Sequence, residues 1–357
     1  MNTNGLNQQK VEVFTERMVD SLNHGSLALM TSIGHRTGLF DTMAELPPAT
    51  SGQIAEATGL HERYVREWLG AMVTGCIVDY EPSNATYRLP PEHAASLTRA
   101  AGPGNMCTIA DFLPSMAAVR DDVIECFRKG GGVPYSKYED FQQLMAAMSS
   151  NTMDVTLLEG TLTLVPGLVE RLQSGIDVAD LGCGSGHAIN IMARAFPNSR
   201  FTGYDFSEDG IAAARAEAKE MGLSNASFEV QDIAAMTGTE RFDVITVFDA
   251  IHDQAEPRQV LKNVHDLLRP GGVFFCVDVQ GSSNVHENIA HPMAPMLYSV
   301  STLHCMTVSL ALDGEGLGTM WGEQKARELM AEAGFQSIDV KQVEGDIINN
   351  YYIAVKS

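Results

Sequence analysis

Residues 178–190 read VADLGCGSGHAIN: an apolar strand that runs into three alternate glycines and out into a helix. Gly182, Gly184 and Gly186 permit a tight turn and let a ligand approach the backbone closely. A dinucleotide-binding loop would be G-x-G-x-x-G, with its third glycine at position 187. That position is His187, and the spacing here is G-x-G-x-G. Glycine spacing alone is a weak signal, so the surrounding residues carry the decision.

Downstream, strand and helix patterns alternate. DVADLG, RFTGYD, ASFEVQD, FDVITVFDA and GGVFFCVDV are five strand candidates with helical stretches between them. They predict an open, largely parallel α/β sheet. FQSIDVKQV and NNYYIAVKS close the chain as two strands spaced for a terminal antiparallel hairpin, giving a seven-stranded Rossmann-like sheet. Acids stand at the carboxyl ends of these strands, where open sheets bind ligands. Asp180 precedes the glycine loop. Asp205 ends the second strand, where a carboxylate can accept both hydroxyls of a ribose. Asp232 follows the third, placed to meet an exocyclic amine. Three acids without a phosphate-binding lysine or arginine suit a nucleoside ligand that has no pyrophosphate. S-adenosylmethionine fits that description.

With these residues assembled, the chain from about 150 to 357 resembles the class I S-adenosylmethionine-dependent methyltransferases. VADLGCGSG, GYDFS, EVQDI, FDVITVFDAIHD and LLRPGGVFFCVD stand in the order of that family's motifs. The resemblance implies a cofactor site built from Asp180, Gly182, Gly184, Gly186, Asp205, Phe206, Asp232, Ile233, Phe248 and Asp249. It implies S-adenosylmethionine as donor, S-adenosylhomocysteine as product, and no metal. A magnesium-assisted mechanism needs converging carboxylates; Asp249 and Asp278 are conceivable, but nothing in the sequence singles them out.

The front half, residues 1–150, reads as a separate, mostly helical domain, with 151–357 as the cofactor-binding one. Val11, Phe14, Met18 and Leu22 recur at helical spacing, and Pro47-Pro48 ends the helical run. Ser51 is the expected cap of the next helix. Two short helices and the hairpin GCIVDYEPSNATYRLP then give a winged helix-turn-helix pattern. Arg63 and Arg66 lie on its second helix beside Glu62 and Glu67. That balance is wrong for DNA, so dimerisation or pocket closure is the favoured role. KGGGVPYSKYEDF, 129–141, reads either as a linker or as a lid with aromatic faces at Tyr135, Tyr138 and Phe141.

Together with LYSVSTLHCMTVSL, this front half resembles bacterial and invertebrate methyltransferases of small thiols and, more distantly, dimeric plant-type and antibiotic-pathway O-methyltransferases. The resemblance implies a homodimer, a small-molecule methyl acceptor, and Tyr135 and Tyr138 capping the methionine end of the cofactor. It implies S-methylation of a small thiol or sulfide, with O-methylation of a hydroxylated metabolite as the alternative. A ligand-sensing transcription factor on the same fold is the non-enzymatic alternative.

The 357 residues carry 45 acidic against 24 basic side chains, a formal charge of −21. That field opposes nonspecific binding to nucleic acid or anionic membranes. The polar N-terminus lacks a signal-peptide core, no apolar run is long enough to span a bilayer, and the six cysteines are scattered. A cytoplasmic protein is the expectation.

His252 and Asp253 follow the fourth strand, in VFDAIHDQAEP, beside the expected donor methyl group. Histidine titrates near neutrality, so His252 reads as a general base or as a residue that positions the acceptor; the alternative is a ring that only fixes the loop. His291, Met296 and His304 are candidates for the acceptor pocket. Met293, Met296 and Met306 also suit plain core packing.

Overall fold

The computed structural model describes residues 6–138, 144–146, 153–343 and 346–357, so Phe141 lies outside the described residues. Contacts divide the chain into two compact units, Met1–Pro114 and Ser115–Ser357.

In the first unit, α1 (Gln8–Arg36), α2 (Leu39–Glu45), α3 (Ser51–Thr58) and α4 (Glu62–Thr74) precede a small hairpin of β1 (Asp79–Glu81) and β2 (Thr86–Arg88). Val65, Trp68, Leu69 and Met72 are buried on α4 at the spacing of one helix face. They pack with Leu39, Phe40, Met43 and Ile54 into the core of this winged helix-turn-helix. The cap of α3 is Thr50, one residue before the expected Ser51: its hydroxyl accepts from the Gln53 amide, and Gln53 returns the bond in a capping box. Ser51 instead donates to Glu62. On the outer face of α4, Arg63 pairs with Glu67 and Arg66 with Glu62, so both arginines have acidic partners.

α1 buries little of itself. Val11, Phe14, Met18, Leu22, Leu29 and Ile33 are all at least 40% exposed. They form one stripe along 29 residues, with Val11, Leu22 and Ile33 each eleven positions apart.

The second unit is built on β3 (Asp177–Leu181), β4 (Arg200–Asp205), β5 (Ala226–Val230), β6 (Phe242–Phe248), β7 (Leu268–Val279), β8 (Ile338–Lys341) and β9 (Asn349–Val355). The sheet order is β5-β4-β3-β6-β7-β9-β8. β3 to β7 are mutually parallel where paired, and β9 runs antiparallel to both β7 and β8. Helices cover both faces, which is why the central strands are apolar almost throughout. Leu181, Ile245, Val247 and Phe274 face the helices Pro257–Leu267 and Gly322–Ala333. Val178, Val244, Phe275 and Val277 face the helices His187–Ala195 and Glu208–Glu220. The strand order reverses at β3, with β4 on one side and β6 on the other, so the crevice opens at the carboxyl end of β3. Among the described residues, no helix is long and apolar enough to cross a membrane.

Candidate active site

The glycine loop is fixed to the neighbouring strand before any ligand is considered. The amides of Gly182 and Cys183 both donate to the Tyr204 carbonyl on β4, at 2.8 and 3.0 Å. Gly182 and Gly186 have φ of +76° and +71°, a region that penalises any side chain. A Cβ on Gly182 would stand 2.7 Å from that of Ala250, and one on Gly186 2.5 Å from that of Ala214. The loop therefore closes tightly on its surroundings, and the helix His187–Ala195 begins directly after it.

A cleft of about 1080 Å³, counting its open mouth, lies above this loop. Asp180, Gly182, Gly184, Asp205, Phe206, Asp232, Ile233, Phe248, Asp249, Asp253 and Tyr135 all line it. Gly186 shapes the loop from beneath; Tyr138, His252, His291, Met296 and His304 are not part of the lining.

Asp205 ends β4 with each carboxylate oxygen on one backbone amide: Oδ2 accepts from Gly184 and Oδ1 from Ser207, both at 2.8 Å. Each oxygen retains a lone pair for a further donor. Burial raises the pKa of Asp205, and the two amide bonds oppose that rise. Asp180 is buried under the loop and accepts from the Thr246 hydroxyl at 2.7 Å. Burial pushes its pKa up to about 7 despite that bond. Asp232 accepts from the Ala234 amide at 2.9 Å. The loop it starts is held by Asn263, whose side chain donates to the carbonyls of Ile233 and Ala234. His187 closes the other end, its ring between Glu217 (2.6 Å) and Asp154 (3.2 Å).

A second set of titratable groups gathers at and behind Tyr135 and Asp253. Tyr135 Oη donates to Asp253 Oδ2 at 2.5 Å, and its ring lies 5.4 Å from those of both Phe206 and His304. Tyr138 turns inward instead: its hydroxyl donates to the Leu303 carbonyl, and its ring meets His304 at 4.7 Å. A short 3-10 turn at Tyr135–Lys137 separates the two tyrosines, so the pair expected to act together divides between cleft and core.

His252 is 5% exposed, with Nδ1 2.7 Å from Asp278 Oδ1 on β7. Burial opposes a charged ring, but the Asp278 carboxylate and hydrogen bonds to Asp278 and Cys305 raise its pKa well above the usual histidine value. Asp278 Oδ1 also accepts from the Val279 amide and the Trp321 indole. Burial, aided by the charge on His252, pushes His304 down to about 3. Burial likewise raises Asp253, with His252 and Tyr135 opposing. His291 belongs to a separate hollow with Gln280, Pro292, Gln342 and Asp346. Met293 packs with Val279, Leu297 and Met320.

Gln231, Gln254, Met145 and Met153 also line the cleft without having been singled out in the sequence. Gln254, immediately after the His-Asp pair, had a positional signal; the methionines had none. The orienting role of Asp278 depends on β6 and β7 being neighbours, which sequence position does not display.

Comparison with known proteins bears on this geometry. Residues 172–334 match the model of a methyltransferase domain, and residues 25–99 match an Rv2258c-like winged HTH domain. A ubiquinone biosynthesis O-methyltransferase of Ruegeria pomeroyi is 33% identical over 177 residues, 48% of this chain and 64% of that protein. The chain thus spans less than two thirds of the length of that relative, and 42% of the length of its counterpart in Coxiella burnetii. Among solved structures, an O-methyltransferase-like protein of Nostoc punctiforme superposes with a TM-score of 0.72 at 17% identity, covering 96% of this chain and 98% of that one. Human N-acetylserotonin methyltransferase, solved with S-adenosylmethionine, gives 0.70 at 17% identity over the whole of both chains. At such identities the likeness establishes the fold. The chain therefore has a winged helix-turn-helix region followed by the open α/β fold shared with these S-adenosylmethionine-dependent methyltransferases.

Proposed function

We propose that this protein is an S-adenosylmethionine-dependent methyltransferase of a small-molecule acceptor. The observation that carries the proposal is Asp205, a cleft carboxylate whose two oxygens each hold one loop amide and keep a lone pair for a ribose hydroxyl. Among the described residues, the lining contains no lysine or arginine to receive a pyrophosphate. Gly182 and Gly184 would lie against the methionine portion, Asp205 would hold the ribose, and Phe206, Asp232 and Ile233 would enclose the adenine. The cofactor supplies a methyl group activated on a sulfonium. The protein's part is to align the acceptor and to take its proton.

For that proton we assign the His252–Asp253 pair. Asp253 stands in the cleft wall, and His252 lies behind it, oriented by Asp278. With its pKa raised by Asp278, His252 holds a proton more tightly than an ordinary imidazole and gains basic capacity as pH rises. Tyr135, bonded to Asp253, would shape the acceptor side.

Oxygen is the favoured accepting atom, because the Ruegeria relative is named as an O-methyltransferase. Sulfur remains the second reading, on the resemblance of the front half to thiol methyltransferases. The paired arginines on α4 and the apolar stripe of α1 support self-association over DNA binding as the role of the first unit. A labelled donor offered with a panel of phenols, thiols and amines tests the whole. Transfer to a hydroxyl or thiol is expected, and no transfer to any member refutes the reading.

A further inference from the structure

Five carboxylates line the cleft: Asp180, Asp205, Asp232, Asp249 and Asp253. Four of them accept hydrogen bonds from the protein, from Thr246, from the Gly184 and Ser207 amides, from the Ala234 amide, and from Tyr135 with Gln254. Asp249 differs. Its Oδ1 is shielded from solvent and has no hydrogen-bond partner, and the same holds for Oδ2 of the fully buried Asp278. Asp249, Asp253 and Asp278 share one charged neighbour of opposite sign, His252. His304 brings no second positive charge, being held neutral by burial. Among the described residues no lysine or arginine lines the cleft. The wall beside His252 is therefore short of positive charge.

The backbone adds an independent sign. Asp249 sits at φ +51°, a left-handed conformation that few non-glycine residues adopt, although aspartate, asparagine and histidine do so more readily than the rest, immediately after β6. Non-glycine residues held in such conformations cluster where a side chain is aimed for binding. Burial, with the charge of Asp278, pushes the Asp249 carboxyl up to about 7, as expected of a carboxylate with too few donors around it.

We propose that Asp249, which the family resemblance put with the cofactor, serves the acceptor instead, beside the His252–Asp253 pair whose charges act on it, so that the cleft accepts methyl acceptors that are neutral or carry an amine and rejects those carrying a carboxylate or phosphate. The proposal rests on the methyltransferase reading and narrows its substrate class. An ammonium or polar N–H on the acceptor supplies the donor that Asp249 lacks. Above pH 7, where Asp249 is mostly ionised, a second carboxylate brought beside it and Asp253 meets like charge in a site partly closed to water, where screening is weak, so the comparison is made at pH 8.

The test uses the full chain at saturating S-adenosylhomocysteine and matched probes that differ in one substituent: 4-methylcatechol, dopamine and 3,4-dihydroxybenzoate, with a parallel trio of arenethiols. Titration calorimetry should show the neutral and amine members binding at least about tenfold more tightly than the carboxylate. Asp249→Asn removes the charge while keeping a residue that tolerates the left-handed conformation. It should narrow the amine-to-carboxylate ratio by about threefold or more. Carboxylate probes that bind as tightly as the others, no binding by any member, or an unchanged ratio in the variant overturns the proposal. Failure of the methyltransferase reading shows separately, as absence of S-adenosylhomocysteine binding to the wild-type protein.

Discussion

Replacing Asp205 tests the cofactor assignment at its centre. In the wild-type protein each oxygen of this carboxylate accepts one amide at 2.8 Å and has capacity for one ribose hydroxyl. Hydrogen bonds to a charged group contribute about 1.5–3 kcal/mol each. Losing two of them in Asp205→Ala should cost about 3–6 kcal/mol, or about 10²- to 10⁴-fold in affinity. The same substitution strands the Gly184 and Ser207 amides, which loosens the loop and adds to the loss. Asp205→Asn separates the two effects. Its amide oxygen serves one backbone N–H and one hydroxyl, while its NH₂ faces the other backbone N–H, donor against donor. A loss near half of the alanine value, about 1.5–3 kcal/mol, is expected for asparagine. Titration calorimetry with S-adenosylhomocysteine measures both variants, and thermal unfolding checks that each remains folded. If either folded variant binds within about threefold of wild type, Asp205 does not hold the ribose.

Three further outcomes follow from groups already described. Asp278 raises the His252 pKa, so neutral imidazole appears only as pH rises through that raised value, and the turnover rate should climb on the alkaline side of neutrality; Asp278→Asn should move that limb to lower pH, and His252→Ala should remove it, while a variant with an unchanged pH profile refutes the base assignment. The stability contributed by the same pair is full below the ordinary histidine range and is lost as pH rises through the raised value, which melting curves of wild type and Asp278→Asn against pH will show. The exposed stripe on α1 predicts a dimer, in which burying Phe14 and Leu22 contributes about 1–2 kcal/mol each; light scattering should find two chains in the wild type and one in a Phe14→Glu, Leu22→Glu variant, and a monomeric wild type refutes it.

The sequence displayed the sheet well, because strands covered on both faces are apolar runs and the helices between them keep their own period. It also displayed the glycine loop and Asp205, whose functions depend on position along a single strand-turn unit. What lay hidden depends on packing between distant segments. His252 and Asp278 are 26 positions apart and meet only because β6 pairs with β7. Tyr135 and Tyr138 look equivalent in sequence, but the turn between them sends one to the cleft and the other to Leu303. His291 follows β7 by a dozen residues, and its loop carries it to a different hollow. The α3 cap moved by one residue because Thr50, unlike Ser51, has a glutamine three positions on that returns its bond.

Tyr135 has one edge on each half of the cleft, its hydroxyl on Asp253 and its ring beside Phe206. On the proposed assignments, a molecule that shifts this tyrosine at the Asp253 end changes the environment met beside Phe206 at the adenine end. The two binding equilibria are then thermodynamically linked: whatever factor the donor adds to acceptor affinity, the acceptor must return to the donor. A single phenol thus makes the coupling between the two affinities a measurable property of the fold.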